Sequence, residues 1–130
     1  MKNILVVLIL MTGFLSCNNS ANPLKPNEAI REMTASEAHE LIQNNNDVFL
    51  IILRTPREIK GGLIDNAITI DFKNSNFKSE IAQLDKEKTY LIYCKAGGRS
   101  SKVCKAMNEM GFKNLINMKG GYTEYRTLYE

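Results

Sequence analysis

The chain has 130 residues, which is enough for one domain, and 44% hydrophobic and 24% charged residues are ordinary values for a globular protein. A formal net charge of +3 without a long basic run argues against a nucleic-acid partner. Three cysteines are too few for a disulfide scaffold, so each one is interpreted separately.

The first segment, MKNILVVLILMTGFLSC, has the pattern of a secretory signal: a charged start, a short apolar stretch, and Ser16 before Cys17. Its ending FLSC resembles a bacterial lipoprotein signal, in which the cysteine is lipidated. An uncleaved anchor or an ordinary signal is the alternative. We therefore predict a signal peptide over 1–16 and a periplasm-facing lipoprotein that is held in the cell envelope through Cys17. Whether the inner or the outer membrane holds it is left open.

Residues 17–30 contain the polar stretch NNSANPLKPNEA with two prolines, which is typical of a flexible tether. The globular domain is predicted over 31–130. Within it, apolar runs such as DVFLIIL and KTYLIYC predict strands that are buried on both faces. Segments with helical spacing lie between them, the first of which opens with the capping box Thr34–Glu37. Strands are expected at 47–53, 67–72, 88–94 and 114–118, and helices at 33–43, 77–84, 100–110 and 122–130.

This alternation predicts an α/β fold with a central, mostly parallel sheet that is covered by helices on both faces. In such folds ligands bind beyond the carboxyl ends of the strands. Cys94 lies at one of these ends, directly after the run KTYLIY. The position alone makes this cysteine a candidate functional residue.

The loop CKAGGRS that follows is suited to hold a thiolate. Gly97 and Gly98 permit backbone conformations that point successive N–H groups inward, and the next helix adds its positive N-terminal end. Lys95 and Arg99 bring two cationic side chains. Such surroundings lower the pKa of a cysteine. A structural cysteine beside a glycine turn is the alternative, but four coinciding features favour catalysis or sulfur carriage by Cys94.

From about Met33 to Glu130 the chain resembles a single-domain rhodanese, a sulfurtransferase module. YCKAGGRSSKVCKAMNEMGFKNLINMKGGYTEY matches the active-loop strand, loop, helix and GG segment of that family in order. LRTPREIKGGLIDNAITI matches its earlier stretch, usually close to D-V-R-x-P-x-E-[YF]-x-x-G-H-I-x-G-A-x-x-I. Related phosphatases carry one more residue in the loop than the four that separate Cys94 from Arg99 here.

The resemblance implies a sulfurtransferase that moves sulfane sulfur, from a donor such as thiosulfate or polysulfide, to a thiophilic acceptor through a Cys94 persulfide. It assigns a catalytic role to Arg99, which shapes and charges the loop. Substrate-binding roles fall on Lys95, Ala96, Gly97, Gly98, Ser100 and Arg54. The expected partners are small sulfur-containing anions or protein persulfides, and neither a metal nor a cofactor is expected.

The sequence departs from the family pattern at three positions: Ile52 stands where Asp is common, Leu63 where His is common, and Asn66 where Gly is common. These departures predict a more loosely held loop. They leave open a catalytically weak rhodanese module that acts as a binding or sulfur-carrier domain. A thiol redox protein that pairs Cys94 with Cys104 is a further alternative, although Cys104 is expected to be a small core residue.

Overall fold

The computed structural model describes residues 29–130. The predicted signal peptide, the lipidated Cys17 and all but the end of the predicted tether lie outside the described residues. Over 29–130, no helix combines the length and the apolar character that crossing a membrane requires.

Strands and helices alternate along the described residues. The strands are β1 (Ile30–Met33), β2 (Val48–Ile52), β3 (Ile68–Thr69), β4 (Thr89–Tyr93) and β5 (Asn114–Met118). The helices are α1 (Ala35–Asn44), α2 (Pro56–Ile59), α3 (Phe77–Ala82), α4 (Gly98–Glu109) and α5 (Gly121–Tyr129). The strands form one sheet in the order β1-β5-β4-β2-β3, and each neighbouring pair is parallel. The predicted α/β fold with a parallel sheet is therefore confirmed.

Helices cover both faces of this sheet because successive strand residues point to opposite sides. On one face α3 and α4 pack on the sheet through Ile81, Val103, Cys104 and Met107. On the other face α1 and α5 pack on it through Ala35, Ala38, Tyr122 and Tyr125. Each fully buried aliphatic side chain contributes about 1.5–3 kcal/mol, so both layers hold β4 firmly at the centre.

Two elements were not predicted. Strand β1 has the sequence IREM, and its two charged residues hide the apolar pattern of a strand; it lies at the edge of the sheet, where charged side chains are common. Helix α2 has only four residues, too few for a periodic pattern. Strand β3 is shorter than the predicted 67–72, because only its first part pairs with β2.

Candidate active site

Cys94 directly follows β4 and is almost completely buried, with 1% of its surface exposed. The loop after it turns back over the sulfur. The backbone N–H of Gly97 donates a hydrogen bond to Sγ of Cys94 over 3.1 Å. The hydroxyl of Ser100 lies 3.6 Å from the same sulfur and 3.1 Å from the Gly97 carbonyl oxygen. The loop therefore surrounds the sulfur with hydrogen-bond donors.

Gly97 gives the loop its shape. Its φ of 93° lies in the left-handed region, which favours glycine, and it lets α4 begin at the next residue, Gly98. A Cβ at Gly97 would lie 3.3 Å from the backbone nitrogen of Gly120, so there is little room for a side chain as well. The helix thus begins two residues before the predicted Ser100, and its first turn forms part of the cradle.

The surroundings of Cys94 lower the pKa of its thiol. Burial raises this pKa, but it is outweighed by hydrogen bonds from the backbone N–H and the hydroxyl of Ser100 and from the N–H groups of Ala96 and Gly97. These donors stabilise the charged form of the sulfur. The site therefore favours a thiolate, which is the nucleophilic form of cysteine.

We expect the thiolate absorbance of Cys94 to develop as pH rises, with a midpoint below about 8.5, the pKa of an unperturbed thiol. A lowered pKa means that the proton leaves at a lower pH, so at neutral pH Cys94 is more ionised than free cysteine. Ser100→Ala removes one donor to the thiolate and should move the midpoint to higher pH. Ultraviolet titration, with the signal of a Cys94→Ser variant subtracted, measures both midpoints. Ser101→Ala is the matched control, and an equal shift in that variant would contradict this account.

Arg99 is held by a carboxylate that the sequence interpretation did not single out. Its guanidinium donates to both carboxylate oxygens of Glu58, over 3.0 Å and 2.6 Å. Arg99 holds the pKa of Glu58 down at about 2, so this carboxyl is ionised at any working pH. Glu58 in turn raises the pKa of Arg99, and the neighbouring Cys94 raises it further. Arg99 therefore carries a fixed positive charge next to Cys94, and its predicted catalytic role stays a prediction.

Helix α2 places Glu58 at this position. Thr55 caps the helix, Pro56 occupies its first turn, and Glu58 accepts hydrogen bonds from the backbone N–H and hydroxyl of Thr55. The signal for this arrangement was present in the sequence as the capping-box spacing in TPRE, which also falls within the stretch that resembles the family. Glu58 is a positioning residue, because it acts on the reactive sulfur through Arg99.

Glu58→Gln should slow the formation of a Cys94 persulfide by about tenfold, the order of loss that follows from removing an orienting partner. The amide keeps the size of the side chain but leaves Arg99 without its ion pair, so the loop charge is held less firmly. Single-turnover kinetics measure the rate. Glu87→Gln is the control, because the ion pair between Glu87 and Lys113 lies on the exposed surface. Equal rates in the two variants would contradict the positioning role.

The start of α5 fixes the backbone of the loop from the other side. The N–H of Tyr122 donates to the carbonyl oxygen of Cys94 over 2.8 Å, and the N–H of Thr123 donates to that of Lys95 over 3.0 Å. The backbones come this close because Gly121 has no side chain. A Cβ there would overlap the Cys94 carbonyl oxygen and lie 2.7 Å from the nitrogen of Ala96. The glycine pair GG of the sequence thus lets α5 dock on the active loop.

Arg54 lies near the loop but not in the cradle. Its guanidinium is buried and donates to the carbonyl oxygens of Gly62 and Glu58, over 2.7 Å and 2.6 Å. It also stacks over the ring of Tyr122, 4.6 Å from the ring centre. These contacts hold α2 and the chain after it, so Arg54 supports the site through the segment that carries Glu58. Its predicted role in substrate binding stays a prediction.

The other predicted binding residues divide into two groups. Gly97 and Ser100 are buried beneath the sulfur, whereas Lys95, Ala96 and Gly98 are exposed at the rim of the loop. The structure therefore brings the five loop positions together around Cys94. An incoming substrate would meet the exposed three first.

Two of the three positions that depart from the family pattern carry apolar side chains that pack in the core. Ile52 is fully buried within the core on the α5 side, and Leu63 is half-buried against the same core. Asn66 adopts a positive φ of 64°, a conformation in which glycine would be unstrained. Neither apolar side chain gives the loop polar support. The ion pair of Glu58 and the hydrogen bonds from α5 hold it instead.

Cys104 lies in the core between α4 and the sheet, fully buried, as predicted. Burial raises the pKa of its thiol to about 12. Both Cys94 and Cys104 have free thiols. A thiol that stays protonated at neutral pH is a poor partner for thiol–disulfide exchange, so these observations disfavour the redox alternative.

Residues 34–128 match the family model of the rhodanese-like domain, and the chain belongs to this family. A Bacillus subtilis protein named "Putative sulfurtransferase YtwF" is 34% identical over 92 residues, which cover 71% of this chain and 86% of that protein. A crystal structure of a Staphylococcus saprophyticus protein is 33% identical with a TM-score of 0.66, covering 73% of this chain and 92% of that one. The polysulfide-sulfur transferase homodimer of Wolinella succinogenes is 27% identical with a TM-score of 0.64, covering 77% and 75%.

Proposed function

We propose that the protein is a sulfurtransferase that carries sulfane sulfur as a persulfide on Cys94. The observation that carries this proposal is the cradle of the sulfur: Gly97 donates to Sγ over 3.1 Å, and burial is outweighed by donors that lower the thiol pKa. A thiolate and its persulfide are both anions, so the same donors stabilise the resting and the loaded enzyme. The names of relatives in the family support the same chemistry.

The reaction proceeds in two displacements. With thiosulfate as donor, the Cys94 thiolate attacks the outer sulfur, a new S–S bond forms, and sulfite leaves with the electron pair of the bond that breaks. With polysulfide, a shortened polysulfide anion leaves instead. A thiophilic acceptor such as cyanide or a thiolate then attacks the terminal sulfur, and the Cys94 thiolate departs. No net oxidation occurs, and no metal or cofactor takes part in these steps.

Intact-mass spectrometry after incubation with thiosulfate tests this proposal. We expect a mass gain of one sulfur atom that cyanide removes. Cys104→Ser is the matched control, and it should gain and lose the sulfur like the wild type because Cys104 is buried in the core. No gain with thiosulfate and none with polysulfide would overturn the proposal. The protein would then act as a binding module on a sulfurtransferase fold, the first alternative.

We also propose that lipidated Cys17 anchors the domain to the cell envelope on the periplasmic side. The support is the signal-like segment MKNILVVLILMTGFLSC followed by a polar, proline-containing stretch. Two or three acyl chains bury enough CH₂ groups for stable attachment. Incorporation of labelled palmitate by the full-length chain, and its loss in Cys17→Ser, is the expected result. Equal labelling of the two would contradict the anchor.

A further inference from the structure

A cavity of about 630 Å³ lies beside the active loop, between that loop, Arg54 and the exposed side of α5. Cavities of roughly 300–1,000 Å³ are typical sites for small organic ligands. This one is much larger than a small inorganic sulfur anion requires. The side chains that decide its chemistry are those of Arg54, Lys95, Tyr122, Arg126 and Glu130.

The side chains that line the cavity carry an excess of positive charge, because three of them are cationic and one is a carboxylate. Over residues 29–130, the salt bridges are Arg99–Glu58 and Lys113–Glu87, so neither Lys95 nor Arg126 is neutralised by a carboxylate in contact. The carboxylate of the cavity, Glu130, already accepts a hydrogen bond from the hydroxyl of Tyr122 over 2.7 Å.

The buried charge of Arg54 also lacks a carboxylate partner. Its two bonded nitrogens donate to neutral carbonyl oxygens, and its Nε has no hydrogen-bond partner among the described residues. Two residues before Arg54, the side chain is the buried, apolar Ile52, which provides no carboxylate either. A cationic side chain that is held by neutral groups keeps most of its attraction for an anion. Arg54 therefore adds to the positive potential of the cavity.

The cavity is bounded by Lys95, the residue that follows Cys94. Helix α5, which forms the opposite wall, donates hydrogen bonds from Tyr122 and Thr123 to the carbonyl oxygens of Cys94 and Lys95. A ligand held here would thus lie against Lys95, the residue after Cys94, and against the start of α5, which is hydrogen-bonded to the active loop.

We propose that this cavity binds the carboxylate end of a small organic thiol. Lys95 and Arg126 contact the carboxylate, and the thiol end reaches the persulfide of Cys94. The inference rests on the proposed sulfurtransferase function and names the class of its acceptor. The thiolate of the acceptor attacks the terminal sulfur of the persulfide, and an S–S bond forms on the acceptor. The bond to Cys94 breaks, and Cys94 leaves as the thiolate.

Binding is tested first, without sulfur transfer. The full-length chain in mild detergent is titrated by NMR with N-acetyl-S-methylcysteine, a thioether that cannot accept sulfur, and with its uncharged amide. We expect the carboxylate to bind about threefold or more tightly than the amide, the gain from one exposed charge contact. Arg126→Gln should remove this preference, whereas Lys105→Gln, which removes an exposed charge on α4, should retain it. Equal affinities of the two compounds for the wild type would overturn the proposal.

Glu130→Gln should change the preference for the carboxylate compound in the opposite direction. It removes the carboxylate of the cavity, so the preference for the charged compound should increase. An unchanged or smaller preference would count against binding at this place. Because the preference is a ratio of two affinities in one variant, a general loss of stability does not imitate it.

Transfer is tested second, with N-acetylcysteine and N-acetylcysteine amide as acceptors from the loaded protein. The ratio of their kcat/KM values should fall about threefold in Arg126→Gln and stay unchanged in Lys105→Gln. Persulfide formation with an unchanged ratio would overturn this inference and leave the proposed function in place. Preferential carboxylate binding without any persulfide would overturn the proposed function and with it the acceptor role of the cavity.

Discussion

Replacing Cys94 with serine should abolish sulfur transfer while the fold is retained. The serine hydroxyl can accept the hydrogen bond that the N–H of Gly97 donates to the sulfur, so the loop keeps its main contact. A hydroxyl does not ionise at working pH and cannot form the S–S bond that carries the sulfur. We expect a rate loss of at least about 10⁴-fold, as is usual when a covalent nucleophile is removed. Intact-mass spectrometry should show no sulfur gain, and urea unfolding should change by no more than about 1 kcal/mol.

Cys104→Ser should show the reverse result. It places a hydroxyl in a fully buried apolar position on α4, at a cost of about 1–2 kcal/mol in the free energy of unfolding, but it leaves the sulfur cradle intact. Sulfur transfer should therefore continue. If both variants lost the transfer while remaining folded, a reaction that needs both Cys94 and Cys104 would replace the persulfide carrier. If only Cys104→Ser lost it, the assignment of the nucleophile would be wrong.

The sequence predicted those parts of the fold that depend on long apolar runs. Strands β2 and β4 and helix α4 are buried over most of their inward-facing residues, so their periodicity is strong. Strand β1 was missed because it lies at the sheet edge and half of its residues are charged; its pairing with β5 is a long-range contact that no local pattern reveals. Helix α2 is held by its cap and by Arg54, and its four residues provide no apolar period.

The same contrast holds for the candidate site. Cys94, Gly97, Arg99 and Ser100 lie within seven consecutive residues of the loop and the first turn of α4, and local spacing was sufficient to bring them together. Glu58 reaches the site from an element 41 residues away in sequence from Arg99, so only the folded chain shows which charge it meets. The docking of α5 on the active loop, through hydrogen bonds from Tyr122 and Thr123, was not predicted from the sequence. Short contacts between segments that are distant in sequence are therefore the part of the site that only the structure shows.

Gly121→Ala tests whether this docking holds the active loop. The residue has a φ of 58°, and a Cβ would meet backbone atoms of Cys94, Lys95 and Ala96, which cannot move aside without opening the cradle. Overlap with fixed backbone and the left-handed conformation together should cost about 3 kcal/mol in the free energy of unfolding. For a domain of this size that loss lowers the melting temperature by about 10–20 °C, which calorimetry measures.

Gly98→Ala is the matched control in the same loop. A Cβ there meets nothing within 4 Å, and the residue lies in the first turn of α4, so stability should be unchanged or slightly increased. At a temperature where both proteins are folded, the midpoint of the Cys94 thiolate titration should rise only in Gly121→Ala, because the displaced loop no longer points its N–H groups at the sulfur. Similar melting temperatures and midpoints in the two variants would show that α5 and the active loop are held independently. The support of the loop would then come from α4 and from the ion pair between Glu58 and Arg99 rather than from α5.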